Sequence, residues 1–196
     1  GWIRGPLAGM SGIALVAAVC AGVLVCWLTP AVAAADSVRV VAPGGFHTCV
    51  VTSGGAVQCW GRNGDGQIGD GTTTNRSSPV AVSGLEGGVI SATAGGYATC
   101  ALTAEGAVRC WGDNAYGQLG DGVSSGAART TLQNVVTPVT LAAEPQALSV
   151  GHETVLAIER ANGALWGWGD GYGLLSSTPN EAVLAPRRIG SGTGFL

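Results

Sequence analysis

A unit of about fifty residues recurs along the chain, and that recurrence limits the fold more than any single residue does. Phe46-His47-Thr48-Cys49 and Ala56-Val57-Gln58-Cys59-Trp60-Gly61 are echoed by Tyr97-Ala98-Thr99-Cys100 and Ala107-Val108-Arg109-Cys110-Trp111-Gly112, at an offset of 51 throughout. A third copy runs from Gly151-His152-Glu153-Thr154-Val155-Leu156 to Leu165-Trp166-Gly167-Trp168-Gly169, with Trp168 lying 57 residues after Trp111. Behind each tryptophan comes a glycine-rich loop: Arg62 to Gly71, Asp113 to Gly122, and a degraded Asp170 to Leu175. Units of this size cannot bury their apolar faces alone, so they stack on one another.

Four short strands fit each copy. In the first they are Val38 to Ala42, Phe46 to Thr52, Ala56 to Gly61 and Pro79 to Ser83, with turn residues between them. Strand alternation sends Cys49, Val51, Val57 and Cys59 one way and Val50 and Trp60 the other. A sheet apolar on both faces must be sandwiched, and radial stacking of four-stranded blades does this. The expected class is an all-β propeller, with blades over residues 38–87, 88–144 and 145–196. Three blades cannot close a ring of the usual ~4–8. The outer flanks of the first and third, carrying Val50, Trp60, Ala157 and Trp168 or the opposite strand faces, are therefore expected to lie open and to drive residues 36–196 on their own to associate.

Ser53-Gly54-Gly55 and Ala104-Glu105-Gly106 join the second and third strands, each with glycine last, as in a type I turn closed by a left-handed residue. Such a turn sets Thr52 opposite Ala56, and hence Cys49 opposite Cys59 and Cys100 opposite Cys110. Opposed strand residues lie roughly 4.5–5.5 Å apart at Cα, within reach of a disulfide. Two cross-strand disulfides are predicted. Leu156 and Gly167 hold the cysteine places in the third copy, so both thiols are lost together, as bonding requires. The alternative is a set of small reduced core thiols. A zinc site made from all four is disfavoured, because Cys-x9-Cys lacks the short knuckle of structural zinc.

The first 35 residues are of another kind. Ile13 to Leu28 is a charge-free apolar run of 16 residues, preceded by Arg4 and followed by Pro30, which ends its helix, and by small residues up to Ala35. That is the layout of a secretory signal peptide, and the run is short of the ~20 residues of a spanning helix. Cleavage is expected after Ala35 or two residues earlier, with an uncleaved membrane anchor as the alternative. Cys20 and Cys26 lie within this segment without the small residues that precede a lipoprotein cysteine. Export favours disulfides. Met10 is the single methionine, so the chain is expected to begin inside a longer frame, and its close at Gly194-Phe195-Leu196 reads as the entry to a further blade.

At Cys59 to Gly71 and Cys110 to Gly122, together with Gly44 to Gln58 and Gly95 to Arg109, the chain resembles the regulator of chromosome condensation repeat family. The resemblance covers about residues 38–196 and the third copy departs from it after Tyr172. It implies a seven-bladed propeller, hence about four further blades, and the cysteines in both strands make the chain similar to exported bacterial members. The family's nuclear exchange factor binds chromatin, but this chain has a net charge of −3 and no basic arm, so no nucleic-acid partner is expected. Secreted propellers that block a β-lactamase are a nearer analogy, although fold alone does not fix function.

Enzymatic motifs are absent or broken. Gly64-Asp65-Gly66-Gln67-Ile68-Gly69 has the G-x-G-x-x-G spacing, but Thr72-Thr73-Thr74 does not read as the helix a dinucleotide loop must open. Asn63-x-Asp65-x-Gln67 hints at a calcium loop yet lacks the closing bidentate glutamate. His47 and His152 occupy different places in the repeat, and His152-Glu153 has Leu156 where a zinc protease has its second histidine. No cofactor, metal or catalytic residue is assigned. Trp60, Trp111 and Trp168 read as core. What varies between copies is the candidate binding surface: Arg62, Asn63 and Asp65, then Asp113, Asn114 and Tyr116, then Tyr172, with an insertion between Val123 and Val135. The expected function is an exported, non-catalytic scaffold for a protein or cell-envelope partner, with no membrane contact apart from an uncleaved anchor. The alternatives are a propeller-type inhibitor of a secreted hydrolase and the binding part of a larger enzyme.

Overall fold

The computed structural model describes residues 15–20, 23–28, 36–134, 148–159, 162–170 and 181–189. The chain divides into two compact units, Gly1–Asp36 and Ser37–Leu196. In the first, β1 (Leu15–Cys20) pairs antiparallel with β2 (Val23–Leu28), Leu15 opposite Leu28 and Cys20 opposite Val23. A hairpin thus stands where the layout of the apolar run predicts a helix. An unbroken apolar stretch has no period to separate the two, and Val16, Val19, Val23 and Val25 suit a strand.

The second unit holds three antiparallel sheets of four strands, each a meander in chain order. They are β3 (Val38–Pro43), β4 (His47–Thr52), β5 (Val57–Gly61) and β6 (Arg76–Ala81); β7 (Val89–Ala94), β8 (Ala98–Thr103), β9 (Val108–Asn114) and β10 (Ser125–Asn134); and β11 (Leu148–Val150), β12 (Thr154–Ile158), β13 (Leu165–Gly169) and β14 (Val183–Arg188). These are propeller blades. Thr52 N–H donates to Ala56 O at 2.9 Å, and Gly55 closes the turn at φ 79°. The resulting register sets Cys49 opposite Cys59, Cys100 opposite Cys110 and Leu156 opposite Gly167. Both cysteine pairs are disulfides with Cα–Cα distances of 4.1 Å.

Among the described residues the insertion after Val123 is strand. It extends β10, whose ten residues run along β9 with two register shifts. β6 likewise begins at Arg76, ahead of the expected Pro79. Pairing with the neighbouring strand decides both boundaries.

Two buried clusters weld the blades. Cys49, Val51, Val57, Cys59 and Ile68 of the first blade pack on Ala92, Ala94, Ala101 and Trp111 of the second. Cys100, Leu102, Val108, Cys110 and Leu119 of the second pack on Val150, Val155, Ala157 and Trp168 of the third. The cystine face of each blade therefore meets the tryptophan face of the next. At each seam the tryptophan N–H reaches back to the preceding glycine-rich loop: Trp111 Nε1 donates to Gln67 O at 2.8 Å, and Trp168 Nε1 to Gln118 O at 3.0 Å. Gly69 and Gly120 are required there, since a Cβ on either would lie 2.7 Å from that indole nitrogen. The same loops lie against the next blade's outer strand, Gly71 N–H bonding Thr130 O at 3.3 Å and Gly122 N–H bonding Leu184 O at 3.0 Å.

This stacking direction decides between the two expected flanks, in favour of the Val50 and Trp60 face on the first blade and of the opposite strand face on the third. Ala157 and Trp168 face the second blade and are buried, while the side of the third blade turned away from it exposes Leu156 (36%) and Ile158 (42%). On the first blade Val50 is buried, Trp60 is half-buried and Val41 is exposed.

Candidate interaction surface

In an antiparallel meander the first and third strands end on the same side, so the turns after β3, β7 and β11 share one face with the loops after β5, β9 and β13. Backbone bonds lace the inner turns together: Gly45 N–H donates to Gly95 O at 2.9 Å, and Gly96 N–H to Gly151 O at 3.2 Å. Gly44 and Gly95 permit this approach, because a Cβ on either would fall 2.6 or 2.0 Å from the next turn's carbonyl. The next residues then form a row across three blades. Phe46 stacks on Tyr97 with ring centroids 5.4 Å apart, and Tyr97 meets the edge of His152 at 5.2 Å. Arg62 lies over this row, its guanidinium carbon 4.9 Å from the Tyr97 centroid and 5.7 Å from that of Phe46. Phe46 is 54% exposed.

The candidate loop residues divide sharply. Asn63 and Asn114 are fully buried and organise their loops. Asn63 Oδ1 accepts the Ile68 N–H at 2.9 Å, while Nδ2 donates to Thr72 O at 3.0 Å and Thr74 O at 3.1 Å. Asn114 repeats this with the Leu119 N–H at 3.0 Å and Val123 O at 3.1 Å. They hold up the surface and do not form it. Asp113 turns inward to Gln118, whose Nε2 donates to Asp113 Oδ2 at 2.9 Å. Arg62 and Tyr116 are exposed, and Asp65 sits 3.5 Å from the Arg62 guanidinium. Tyr172 lies outside the described residues.

Phe46, Tyr97 and His152 were not among the expected binding residues, since their proximity arises from blade stacking and not from sequence spacing. His47, next to Phe46, is buried, its Nε2 lying 2.6 Å from Thr99 Oγ1. Burial lowers its pKa from 6.5 to about 4, so it is a neutral packing group near pH 7.

The loop's chemistry is internal. Gln67 Oε1 accepts the Asp65 N–H at 2.9 Å, and Asn63 is fully engaged, so the Asn63-x-Asp65-x-Gln67 oxygens do not converge on a cation. Among the described residues no group of three or more His, Cys, Asp or Glu could hold a metal. The Gly64 to Gly69 stretch leaves an antiparallel strand and leads through turns to β6, so among the described residues no helix N-terminus faces it.

Residues 38–67 and 89–118 match the regulator of chromosome condensation (RCC1) repeat, and residues 54–102 match a second description of the same repeat. The E3 ubiquitin-protein ligase HERC2 of Homo sapiens is 30% identical over 160 residues, covering 78% of this chain and 3% of its own length. The ultraviolet-B receptor UVR8 of Arabidopsis thaliana is 31% identical over 165 residues, covering 81% of this chain and 36% of its own. This chain thus spans little more than a third of the latter and a small part of the former. In fold, it is similar to human WBSCR16 (TM-score 0.67, 23% identity, 86% of this chain and 41% of that one). Prp20p of Saccharomyces cerevisiae is equally similar (TM-score 0.67, 20% identity, 79% and 38%).

Proposed function

Starting from a chain that belongs to the regulator of chromosome condensation repeat family, we propose that it is an exported, non-catalytic scaffold that holds a protein partner on the face bearing Phe46, Arg62, Tyr97, Tyr116 and His152. The observation that carries this reading is the aromatic row: exposed Phe46 stacked on Tyr97 under a guanidinium, held rigid by two laced turns. Rigid aromatic and arginine side chains are the residue types that dominate protein interfaces. Propellers of this fold with protein ligands include Prp20p, whose structure is described with its binding to Gsp1p and histones. The apolar run Ile13 to Leu28 with Ala33 to Ala35 supports export.

The test places a photo-crosslinking amino acid at Phe46 or Tyr116 on this face, and at Glu105 on the opposite one, in the full chain expressed in its own host. Crosslinks to one protein from the first two sites and not from Glu105 are expected. Equal labelling from both faces, or none alongside turnover in a hydrolase panel, would sink the reading. The exported form is expected to begin at Asp36 or Ala34 by N-terminal sequencing.

A further inference from the structure

Position 62 carries a charge opposite to its counterpart in the second blade, while the loop around it is otherwise built alike. In the second blade Gln118 Oε1 accepts the Tyr116 N–H at 2.9 Å, which aims Nε2 at the Asp113 carboxylate, 2.9 Å away. In the first blade Gln67 Oε1 accepts the Asp65 N–H at 2.9 Å, so the amide is oriented in the same way. Here Nε2 is buried without a hydrogen-bond partner, because position 62 presents a guanidinium, which is itself only a donor. Gln67 is fully buried, and a buried donor with no acceptor is an unusual state for a native protein. The chain's own Asp65 does not fill the gap: its Oδ2 is 3.5 Å from the Arg62 guanidinium and likewise makes no hydrogen bond.

Resting on the partner-binding reading above, we propose that Arg62 and Gln67 form an acceptor site for an Asp or Glu carboxylate presented by the protein partner, which takes the place that the Asp113 carboxylate holds in the second blade. One carboxylate oxygen accepts from Gln67 Nε2 and the other from the Arg62 guanidinium, a charge-assisted pair. The guanidinium that pairs with it lies 4.9 Å from the Tyr97 ring centroid and 5.7 Å from that of Phe46. Arg62, whose side chain is 45% exposed and is held by the 3.5 Å ion pair to Asp65 and by the Phe46 and Tyr97 rings, is the side chain that moves to admit the carboxylate.

The probe is N-acetyl-aspartate amide, with N-acetyl-asparagine amide as the uncharged control, titrated into the oxidised full chain while side-chain amide resonances are followed by NMR. The Gln67 signal is identified by its loss in Gln67→Met. A downfield shift of Gln67 that saturates in the millimolar range with the aspartate probe alone, with Gln118 unmoved, is the expected result. Arg62→Asp supplies the carboxylate from within the chain. It should move the Gln67 amide toward the Gln118 position, raise the melting temperature and abolish the response to the probe. An unmoved Gln67, an equal shift at Gln118, or an undiminished response in Arg62→Asp each overturns the site. A clear probe response combined with no protein crosslinked from Phe46 or Tyr116 overturns the partner reading alone.

Discussion

Trp60 and Trp111 occupy the same strand position in consecutive blades, yet Trp111 is fully buried with its N–H bonded to Gln67 O and Trp60 is only half-buried. The difference does not lie in either residue. Trp111 has the Gly66 to Gly69 loop of the preceding blade laid over it, and among the described residues no loop lies over Trp60 in this way. A blade of this chain is thus finished by its predecessor, and the same side chain is core or surface according to what stacks on it. Stability in stacked repeats resides largely in such neighbour terms.

Replacing the two tryptophans measures this most directly. Trp111→Ala should lower unfolding free energy by ~3–5 kcal/mol, and Trp60→Ala by ~1 kcal/mol, in urea melts of the full chain. Equal losses would mean that the seam adds nothing to the indole's own packing. The next effect separates the blades by pH. His47 holds a place that Ala98 holds in the second blade, and its pKa is about 4 when folded against about 6.5 unfolded. As pH falls, the unfolded chain takes the proton first, so this contribution to stability is complete above about pH 6.5 and is lost on acidification toward 4. Between pH 7 and 4.5 the wild type should lose on the order of 2–3 kcal/mol more than His47→Gln, and parallel pH profiles would refute the buried-histidine assignment.

Cystines come next in size. Opening Cys100–Cys110 by Cys→Ser at both positions should cost about 2–3 kcal/mol, the range for a short closed loop, leaving the β-sheet circular dichroism signal in place. Peptide mapping without reductant should link Cys49 to Cys59 and Cys100 to Cys110, and any link between blades would contradict the observed register. The smallest contrast concerns two glycines of one loop. Gly69→Ala places a methyl against the Trp111 indole, whereas Gly71→Ala meets nothing within 4 Å, although both have positive φ. The first should be the more damaging by ~1–3 kcal/mol, the cost of overpacking, above the ~1 kcal/mol left-handed penalty common to both.

The sequence made the blade legible but not the order of its faces. Strand number, the three-residue turn and the opposition of Cys49 to Cys59 follow from local spacing, which a meander preserves. Alternation identified two apolar faces, but it contains nothing that says which face meets the preceding blade. The open flank of the third blade is therefore left by the sequence as Ala157 and Trp168 or the opposite strand face, and Leu156 and Ile158 of that opposite face occupy it. Asn63 and Asn114 lie within the variable loops, yet they are the same residue at the repeat offset, the mark of scaffold. The substitution that does vary, Arg62 for Asp113, was legible, but its consequence for Gln67 was not, because a lost hydrogen bond has no sequence signature. The row from Phe46 to His152 was hidden for a further reason. His152 stands at a glycine position of the repeat, so no alignment of copies pairs it with an aromatic residue.

The indole-to-carbonyl bond at each seam also turns the chain into its own optical gauge. Trp111 and Trp168 each sit in a dry, fixed setting against the blade before them, and Trp60 does not. Emission from the buried pair should lie to the blue and move red when a seam parts, even while every strand remains paired. Far-ultraviolet dichroism responds to the strands themselves. Read together during unfolding, the two signals distinguish blades sliding apart from blades melting, with no label added.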